Sequence, residues 1–393
     1  MIGEMRSEAR SQVSNVLYDR LLLAIVVSIV SIGLMMVASA SVTNSDRIYD
    51  WPFHYLLRQS IHFIIGAVLG VFVYKVPVER LREYATYFLL GSIVLLVLVL
   101  IPGIGRHVNG SARWIGLGPI AVQVSELAKF AVIVYMSGYL VRRHEEVTTR
   151  VTGFIKPMCI VSIIAFLLLL EPDFGATVVI MTTAVGMMFL AGVRLRQFAI
   201  LIVLVLLALA FLAVSSPYRL LRLTTFLNPW ANQFDSGYQL TQSLIAFGRG
   251  GWLGVGLGNS VQKLFYLPEA HTDFLFAVIA EELGLLGVLT VICLYIALFL
   301  RALWIGFRAQ IAGLHFHGYL AYGFALWLGL QFVVNVGVNA GVLPTKGLTL
   351  PLMSYGGSSI VVNCLVIACL FRIDHELRLK ALGVRHVKEL RLD

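Results

Sequence analysis

Charge is what this 393-residue sequence has least of: only 13% of its residues are Asp, Glu, Lys or Arg, and 59% are hydrophobic. Ordinary globular domains are about 25% charged and roughly 45–50% apolar. The mean hydropathy of +0.87 points the same way. Such a chain has too few charged groups to cover a water-exposed surface. The composition therefore excludes an ordinary water-soluble domain and indicates a polytopic membrane protein.

Cysteine and nucleotide-binding motifs are equally sparse. The four cysteines all fall in apolar segments, without a CxxC pair or a metal-ligand spacing: Cys159, Cys293, Cys364 and Cys369. We expect them to be small buried side chains, with no metal site assigned. No GxxxxGK[ST] motif occurs, and no strand pattern precedes the glycine-rich run "GRGGWLGVGLGNS", Gly248–Ser260. That run indicates tight turns, with a backbone cradle for phosphate as the alternative.

Long apolar runs are what the sequence has in abundance. Each is a candidate to cross about 30 Å of hydrocarbon, and together they predict an all-α membrane protein with ten transmembrane helices. The predicted helices are Leu21–Ala40, Leu56–Val76, Tyr84–Pro102, Val122–Val141, Pro157–Leu170, Phe174–Val193, Phe198–Ser215, Thr272–Leu300, Tyr319–Val342 and Ile360–Phe371. The fifth and tenth runs are short and would need their flanks to span.

The net charge of +9 is a signal of membrane topology, and we expect no nucleic-acid partner. With ten helices both termini share one side, and that side carries 20 of the 30 lysines and arginines. The positive-inside rule makes this side cytoplasmic. We predict tails at 1–20 and 374–393 around a membrane domain of 21–373. The "ASAS" run at Ala38–Ser41 mimics a signal-peptide cleavage site, but the long apolar run before it favours an uncleaved first helix.

Two outer loops are long enough to carry function. One is Gly103–Ala121, and the other is the stretch Ser216–His271 between the seventh and eighth predicted helices. Loops beyond about 12–15 residues are usually functional or disordered. The second loop is rich in aromatic residues, which predicts short segments lying at the membrane surface.

The acidic residues around the start of the eighth helix are the first chemical candidates. Asp273 lies just inside the outer boundary, and Glu269 precedes it by one helical turn. A carboxylate beside apolar surface, with another acid nearby, tends to have a raised pKa and suits a general base. The alternative is that Asp273 only caps the helix, together with Thr272. Deeper in the helix, Glu281 and Glu282 fit a structural ion pair at least as well as catalysis.

Basic residues on the outer side could bind an anionic substrate. Arg113 and Arg249 adjoin Gly or Trp turns and could grip a diphosphate, although each alone also fits a headgroup-level surface charge. Lys346 belongs to the same outer set. Glu126 and Lys129, three residues apart on the fourth helix, fit a structural pair, with Lys129 in a cavity shared with the base as the alternative.

The last outer segment, "NAGVLPTKGLTLPLMSYGGSS" (Asn339–Ser359), predicts a non-helical loop that dips towards the membrane. Such backbone is tolerated only where protein or water surrounds it. Asn335 and Asn339, one helical turn apart, add amide groups to this neighbourhood. "EPDFG" at Glu171–Gly175 predicts a tight outer turn. No role is assigned to the histidines at positions 315 and 317.

These motifs together resemble the SEDS (shape, elongation, division and sporulation) family of peptidoglycan glycosyltransferases. The segments that carry the resemblance are "SARWIGLG", "EPDFG", "FLNPW…SGYQLTQSLIAFGRGG", "GLGNSVQKLFYLPEAHTDFLFAVIAEELG" and "PTKGLTLPLMSYGGSS". The wording "PTKGLTLPL" is nearer to the cell-division branch than to the elongation branch. Val124 and Gln233 depart from the family pattern, each standing where a proline is common.

The resemblance implies a polymerase of lipid II on the outer face of the bacterial inner membrane, acting at the division septum. Its catalytic aspartate falls on Asp273, with undecaprenyl diphosphate as the leaving group. Other implicated positions are Arg113, Trp114, Glu126, Lys129, Ser354, Tyr355, Gly356 and Gly357, and we add Glu269 and His271 as residues that position or tune the base. Mg²⁺ or Mn²⁺ is a candidate cofactor, and no organic cofactor is expected.

The resemblance also implies partners: lipid II and undecaprenyl-linked glycan as substrates, a class B penicillin-binding protein as septal transpeptidase, and other divisome proteins. Two rival interpretations remain at this point. One is a transporter that flips lipid II, which predicts functional residues on both membrane faces, whereas these candidates cluster on the outer face. The other is a scaffold for the transpeptidase, which leaves the acidic residues unexplained.

Overall fold

The computed structural model describes residues 18–108, 111–117, 120–193, 226–344 and 347–382, with isolated positions between 199 and 214. Helices dominate these ranges. They are α1 (Arg20–Tyr49), α2 (His54–Lys75), α3 (Val78–Glu83), α4 (Ala85–Leu100), α5 (Val124–Arg142), α6 (His144–Thr149), α7 (Val151–Leu170), α8 (Phe174–Leu190), α9 (Tyr238–Gly250), α10 (Leu275–Ile311), α11 (His315–Asn339) and α12 (Gly357–Ala381). A short 3₁₀ helix, Pro229–Asn232, precedes α9.

Seven helices of the described ranges are long and apolar enough to cross a membrane: α1, α2, α5, α7, α10, α11 and α12. The shorter apolar helices α4 and α8 match two further predicted spans. The predicted seventh helix, Phe198–Ser215, lies largely outside the described residues. Every other predicted span therefore coincides with a helix of the described part of the chain.

The fifth and tenth apolar runs use their flanks to reach spanning length, as expected. α7 has 20 residues because it starts at Val151 and contains Pro157, which a helix packed among neighbours can accommodate. α12 has 25 residues and runs through charged residues as far as Ala381. Its polar end is held by ion pairs: the carboxylate of Asp374 lies 2.5 Å from Arg378 and 3.8 Å from Arg308.

The all-α prediction misses a small antiparallel sheet in the first outer loop. Strands β1 (Gly105–Val108), β2 (Ser111–Leu117) and β3 (Ile120–Gln123) pair in the order β1-β2-β3. Alternation of apolar and polar residues is short in this glycine-containing loop, so the strands are hard to predict from the pattern of residues. The sheet fixes the loop against the bundle, since the Ser358 hydroxyl accepts from the Gln123 N–H at 3.0 Å and donates to the Ala121 carbonyl at 3.1 Å.

Burial separates the central helices from those that face lipid. α5 is buried along most of its length and packs with α11, whose Trp327 is fully buried. α1, α2 and α4 instead expose rows of large apolar side chains, as lipid-facing helices do. The core of the bundle therefore lies around α5, α11 and the inner face of α10.

The last outer segment forms the predicted buried loop. Residues 347–356 are non-helical, and Leu348, Leu350, Leu352 and Met353 are buried. α1 can approach this loop because it carries glycine at the contact: a Cβ on Gly33 would lie 2.8 Å from the Met353 Cα.

Side chains of the surrounding helices satisfy the buried carbonyl groups of this loop. The amide of Gln331 donates to the carbonyl of Thr349 at 2.9 Å, and that of Asn335 donates to the carbonyl of Leu348. The Tyr295 hydroxyl donates to the carbonyl of Pro351. Non-helical backbone is tolerated at this depth because protein surrounds it and donates hydrogen bonds to its carbonyl groups.

Histidine 317, left without a role from sequence, belongs to an ion-pair cluster at the end of the bundle opposite the loop. Its Nε2 lies 2.6 Å from the Glu376 carboxylate. The same carboxylate accepts from Arg372 Nε at 2.6 Å and from the backbone N–H of Val78 at 3.1 Å. This cluster ties α11 and α12 to the start of α3.

Candidate active site

Asp273 lies in the turn that precedes α10. The helix starts at Leu275 with Phe274 as N-cap and no side-chain cap hydrogen bond, so Asp273 does not cap it. Instead its backbone carbonyl accepts from the side-chain amides of Asn335 and Asn339, both at 2.9 Å. These are the two asparagines predicted to lie one turn apart. They fix the backbone of Asp273 and do not occupy its carboxylate.

The Asp273 carboxylate is poised to exchange a proton near neutral pH. Among the described residues, no side chain donates a hydrogen bond to it. Burial raises its pKa to about 7. The nearby carboxylates of Glu269 and Asp173 add to that rise, whereas the Arg113 guanidinium opposes it. Desolvation is the largest cause because a charged carboxylate loses water that no donor replaces.

Glu269 and His271 border Asp273 on the chain, as predicted. Glu269 is exposed and has left-handed backbone geometry (φ 57°), which non-glycine residues rarely adopt. The Thr272 hydroxyl donates to its carboxylate at 2.7 Å. Burial lowers the pKa of His271, with Glu269 opposing the shift. His271 is therefore a neutral imidazole beside the base at neutral pH.

Arg113 of β2 reaches the tight turn between α7 and α8. Its guanidinium donates to the carbonyls of Glu171 and Pro172 at 3.3 and 2.5 Å, and lies 3.9 Å from the Asp173 carboxylate. The same guanidinium lowers the pKa of Asp273. The structure thus brings the predicted "EPDFG" turn, the predicted cation and the predicted base into one electrostatic neighbourhood.

Glu171 is a member of this neighbourhood that sequence reasoning treated only as part of a turn. Its side chain is fully buried, and both carboxylate oxygens lack a hydrogen-bond partner among the described residues. Burial raises its pKa to about 8, Asp173 adds to the rise and Arg113 opposes it. Glu171 therefore holds its proton at neutral pH and adds no negative charge beside Arg113, whose nearby carboxylate is that of Asp173.

The loop of Ser354, Tyr355, Gly356 and Gly357 lies beside His271. The Tyr355 N–H donates to the His271 carbonyl at 3.0 Å, and the rings of these two residues lie 5.6 Å apart. A Cβ on Gly347 would lie 3.2 Å from the Asp273 carboxylate, so the loop passes close to the base. Lys346, predicted in the same segment, lies outside the described residues.

Glu126 and Lys129 form a buried pair with a 2.8 Å contact. Lys129 Nζ also donates to Gln331 at 2.8 Å and lies 4.9 Å from the centre of the Trp327 ring. Gln331 in turn holds the Thr349 carbonyl of the buried loop. These contacts favour the structural-pair interpretation, and they connect the pair to the loop that passes Asp273. Trp114 follows Arg113 in β2, opposite Gln123.

Glu281 and Glu282 find their partners on the long outer loop. The Glu281 carboxylate lies 3.5 Å from Arg249 and accepts from the Ser260 hydroxyl. Glu282 accepts from Lys263 Nζ at 2.9 Å. Arg249 thus has a buried counter-ion, and its predicted substrate contact stays a prediction.

The glycine-rich run packs against the kink of α10 instead of forming an open phosphate cradle. The amides of Val255 and Gly256 donate to the carbonyls of Glu281 and Glu282 at 3.0 and 3.1 Å. Gly284 has φ 64°, and a Cβ there would lie 2.3 Å from the Gly254 nitrogen. The run therefore provides close backbone packing, as the tight-turn interpretation expects.

Among the described residues, no three His, Cys, Asp or Glu side chains come together as a metal site. The predicted Mg²⁺ or Mn²⁺ therefore has no protein ligand set in that part of the chain, and it stays a prediction. The four cysteines are free thiols. Cys369 is buried and Cys364 is partly buried, but Cys159 and Cys293 are exposed, so the expectation of burial was wrong for these two.

Fold and site together define a multi-pass membrane protein with a half-buried carboxylate, a neighbouring guanidinium and a buried loop at one end of the helix bundle. A family model described as "Cell cycle protein" (FtsW, RodA, SpoVE) matches residues 19–379. The chain belongs to this FtsW/RodA/SpoVE family, which confirms the resemblance drawn from the sequence motifs.

Individual relatives agree. A protein of Legionella pneumophila named "Probable peptidoglycan glycosyltransferase FtsW" is 59% identical over 369 residues, covering 94% of each chain. One of Coxiella burnetii with the same name is 57% identical, covering 91% of this chain and 96% of the relative.

Two solved structures share the fold. One, described as "Structural coordination of polymerization and crosslinking by a peptidoglycan synthase complex", is 30% identical with a TM-score of 0.76, covering 92% of this chain and 98% of that one. The other is the rod shape determining protein RodA of Thermus thermophilus, 28% identical with a TM-score of 0.68, covering 91% of this chain and 97% of that one.

Proposed function

We propose that this protein is a peptidoglycan glycosyltransferase that polymerises lipid II during cell division, with Asp273 as general base. The class of activity is the one named for its 57–59% identical relatives. The observation that carries the catalytic assignment is the Asp273 carboxylate, which no described side chain binds while two asparagines hold its backbone.

The reaction follows from the chemistry of that carboxylate. Asp273 takes the proton of the acceptor sugar's 4-hydroxyl as that oxygen attacks the anomeric carbon of the donor. A carbon–oxygen bond forms to the acceptor while the bond to the diphosphate breaks, and undecaprenyl diphosphate leaves with the electron pair. A base works best with a pKa near the operating pH, and the pKa of about 7 meets that condition.

Arg113 is the proposed cation for the departing diphosphate. Its guanidinium is partly exposed, and the carbonyls of Glu171 and Pro172 orient it. Since Glu171 stays protonated at neutral pH, it does not compete with the leaving group for the guanidinium, and Asp173 contacts the guanidinium only at 3.9 Å. Preorganised charge of this kind stabilises negative charge that develops in the transition state. No step is assigned to a metal ion.

The topology belongs to the same proposal. Ten spans, including Phe198–Ser215, place both termini in the cytoplasm and the stretch 216–271 on the outer face of the bacterial inner membrane, at the septum. The distribution of basic residues supports this orientation. A class B penicillin-binding protein and other divisome proteins are the proposed partners. The similarity to a chain from a peptidoglycan synthase complex supports the former.

The test is polymerisation of purified lipid II by the protein in complex with its transpeptidase, comparing wild type with Asp273→Asn. Asp235→Asn is the matched control, because Asp235 is an exposed acid of the same outer loop. Removing a general base lowers rates about 10²- to 10⁴-fold, whereas the control should polymerise normally. Equal yield of the complex shows that the variants fold.

Two outcomes would contradict the proposal. Normal polymerisation by Asp273→Asn would remove Asp273 as the base. A wild-type complex that makes no polymer but moves lipid II across vesicles would favour the transporter instead.

A further inference from the structure

The outer end of α2 carries polar and aromatic side chains that have no role in the proposed mechanism. The sequence "HYLLRQSIH", His54–His62, interrupts an otherwise apolar span with Tyr55, Arg58 and Gln59. An arginine near the end of a membrane span either extends to the headgroup region or faces a polar site of the protein. The question is what these side chains meet.

Tyr55 forms a ring cluster with two residues of the candidate active site. Its ring centroid lies 4.5 Å from that of His271 and 5.1 Å from that of Tyr355. Gln59 is fully buried and donates to the carbonyls of Met353 and Ser354 at 3.4 and 3.2 Å. The outer end of α2 is therefore joined to the buried loop, and Tyr55 contacts His271, which lies two residues before Asp273 in the sequence.

Arg58 places an exposed cation at the edge of this ring cluster. Burial raises the pKa of the Tyr355 hydroxyl, and the positive charge of Arg58 opposes that rise, so the guanidinium lies within electrostatic reach of the hydroxyl. Arg113 acts on a different set of groups, Asp273 and Glu171. The guanidinium groups of Arg58 and Arg113 therefore act on different side chains near Asp273.

Unpartnered polar atoms lie along the same face of α2. Gln59 Oε1 and His62 Nδ1 are buried atoms without a hydrogen-bond partner among the described residues. Buried polar atoms normally have partners, and an exception calls for a ligand, a water or a functional reason. This face therefore has the features of a binding surface: a cluster of tilted and edge-on rings, an exposed guanidinium and buried polar atoms without a partner among the described residues.

We propose a second anion-binding subsite formed by Tyr55 and Arg58 with His271 and Tyr355. It holds one oxyanion of the lipid-linked substrates, while Arg113 holds the departing diphosphate. This rests on the proposed function. Glycosyl transfer between two lipid-linked sugars brings two diphosphates to one base, and a single guanidinium cannot pair with both. The oxyanion is either the diphosphate of the second substrate or a carboxylate of its peptide, since a guanidinium binds both in the same bidentate way.

The experiment measures KM and kcat for lipid II polymerisation in the protein–transpeptidase complex with Arg58→Ala and Arg58→Lys. Arg47→Ala is the matched control, because Arg47 is another exposed arginine, stacked over Phe265 at 4.8 Å. Loss of a charge-assisted hydrogen bond should raise KM about 10- to 100-fold. The change in kcat should be smaller, and lysine should restore part of the loss.

Lipid II with amidated peptide carboxylates distinguishes the two sources of the oxyanion. Equal KM increases for both substrates identify the diphosphate, and an increase confined to the unmodified substrate identifies the carboxylate. An unchanged KM in Arg58→Ala overturns the subsite while wild-type polymerisation leaves the proposed function standing. An equal KM increase in Arg47→Ala also overturns it, because the effect is then one of general surface charge.

Discussion

Lys263 is the residue whose loss should show most clearly how the outer loop is held to the helix bundle. Its Nζ donates to Glu282 at 2.9 Å, to the Ser39 hydroxyl at 3.0 Å and to the Gly258 carbonyl at 2.6 Å. Its side chain is only 5% exposed, and that of Glu282 is fully buried. One ammonium group therefore joins the outer loop, α1 and α10, the helix that follows Asp273.

Lys263→Met should destabilise the protein strongly. The change leaves the Glu282 carboxylate buried with only the Ser39 hydroxyl and the Ser260 N–H as donors. Removing one partner of a buried ion pair costs about 3–5 kcal/mol. Pairing the change with Glu282→Gln removes the uncompensated charge, so the double variant should recover part of the loss.

The assay is denaturant unfolding in detergent micelles, with Lys156→Met as the control. Lys156 forms an ion pair of similar length with Glu146, 3.2 Å, but its side chain is 54% exposed. An exposed pair contributes about 0–1 kcal/mol. Equal losses of unfolding free energy in the two single variants would show that burial does not make the Lys263 pair important for stability. No recovery of unfolding free energy in the double variant would show the same.

Three further changes test other parts of the account. Asn339→Leu should cost about 1–3 kcal/mol and lower kcat, because it removes one of the two side-chain amides that hold the Asp273 carbonyl; unchanged kcat in polymerisation assays would count against that positioning role. Glu171→Gln should flatten the pH dependence of the free energy of unfolding. In the folded protein the pKa of Glu171 is about 8, against an ordinary value of 4.5. The protonated side chain therefore contributes fully to stability below pH 4.5, and this contribution is lost as the pH rises through 8. Melting curves at several pH values check this, and identical slopes in both proteins would exclude it. Gly284→Ala should lower the melting temperature, since φ is 64° and the new Cβ would meet the Gly254 nitrogen at 2.3 Å; an unchanged value would show that the kink is not required.

Local patterns in the sequence were enough to predict the spans that lie within the described residues and the buried non-helical loop. Apolar runs of membrane length, and acids that interrupt them, are visible without any knowledge of the fold. The spacing of Asn335 and Asn339 predicted that both amides lie near that loop, whereas their contact with the Asp273 carbonyl was not predicted.

Contacts between distant segments could not be predicted in the same way. Glu281 and Glu282 gave no indication of which cations they meet, because Arg249 and Lys263 approach only when the outer loop folds back on α10. The polar residues of α2 were a visible signal that was missed. "HYLLRQSIH" interrupts an apolar span just as the acids near Asp273 do.

The pH dependence of the polymerisation rate at saturating lipid II tests directly whether Asp273 is the general base. If it is, the rate should fall on acidification with a midpoint near the pKa of about 7. The midpoint should move upward in Arg113→Met, because Arg113 lowers that pKa. The small residual rate of Asp273→Asn should lack this fall at acidic pH. A wild-type rate independent of pH across this range, or a fall at acidic pH that persists in Asp273→Asn, would show that Asp273 is not the base.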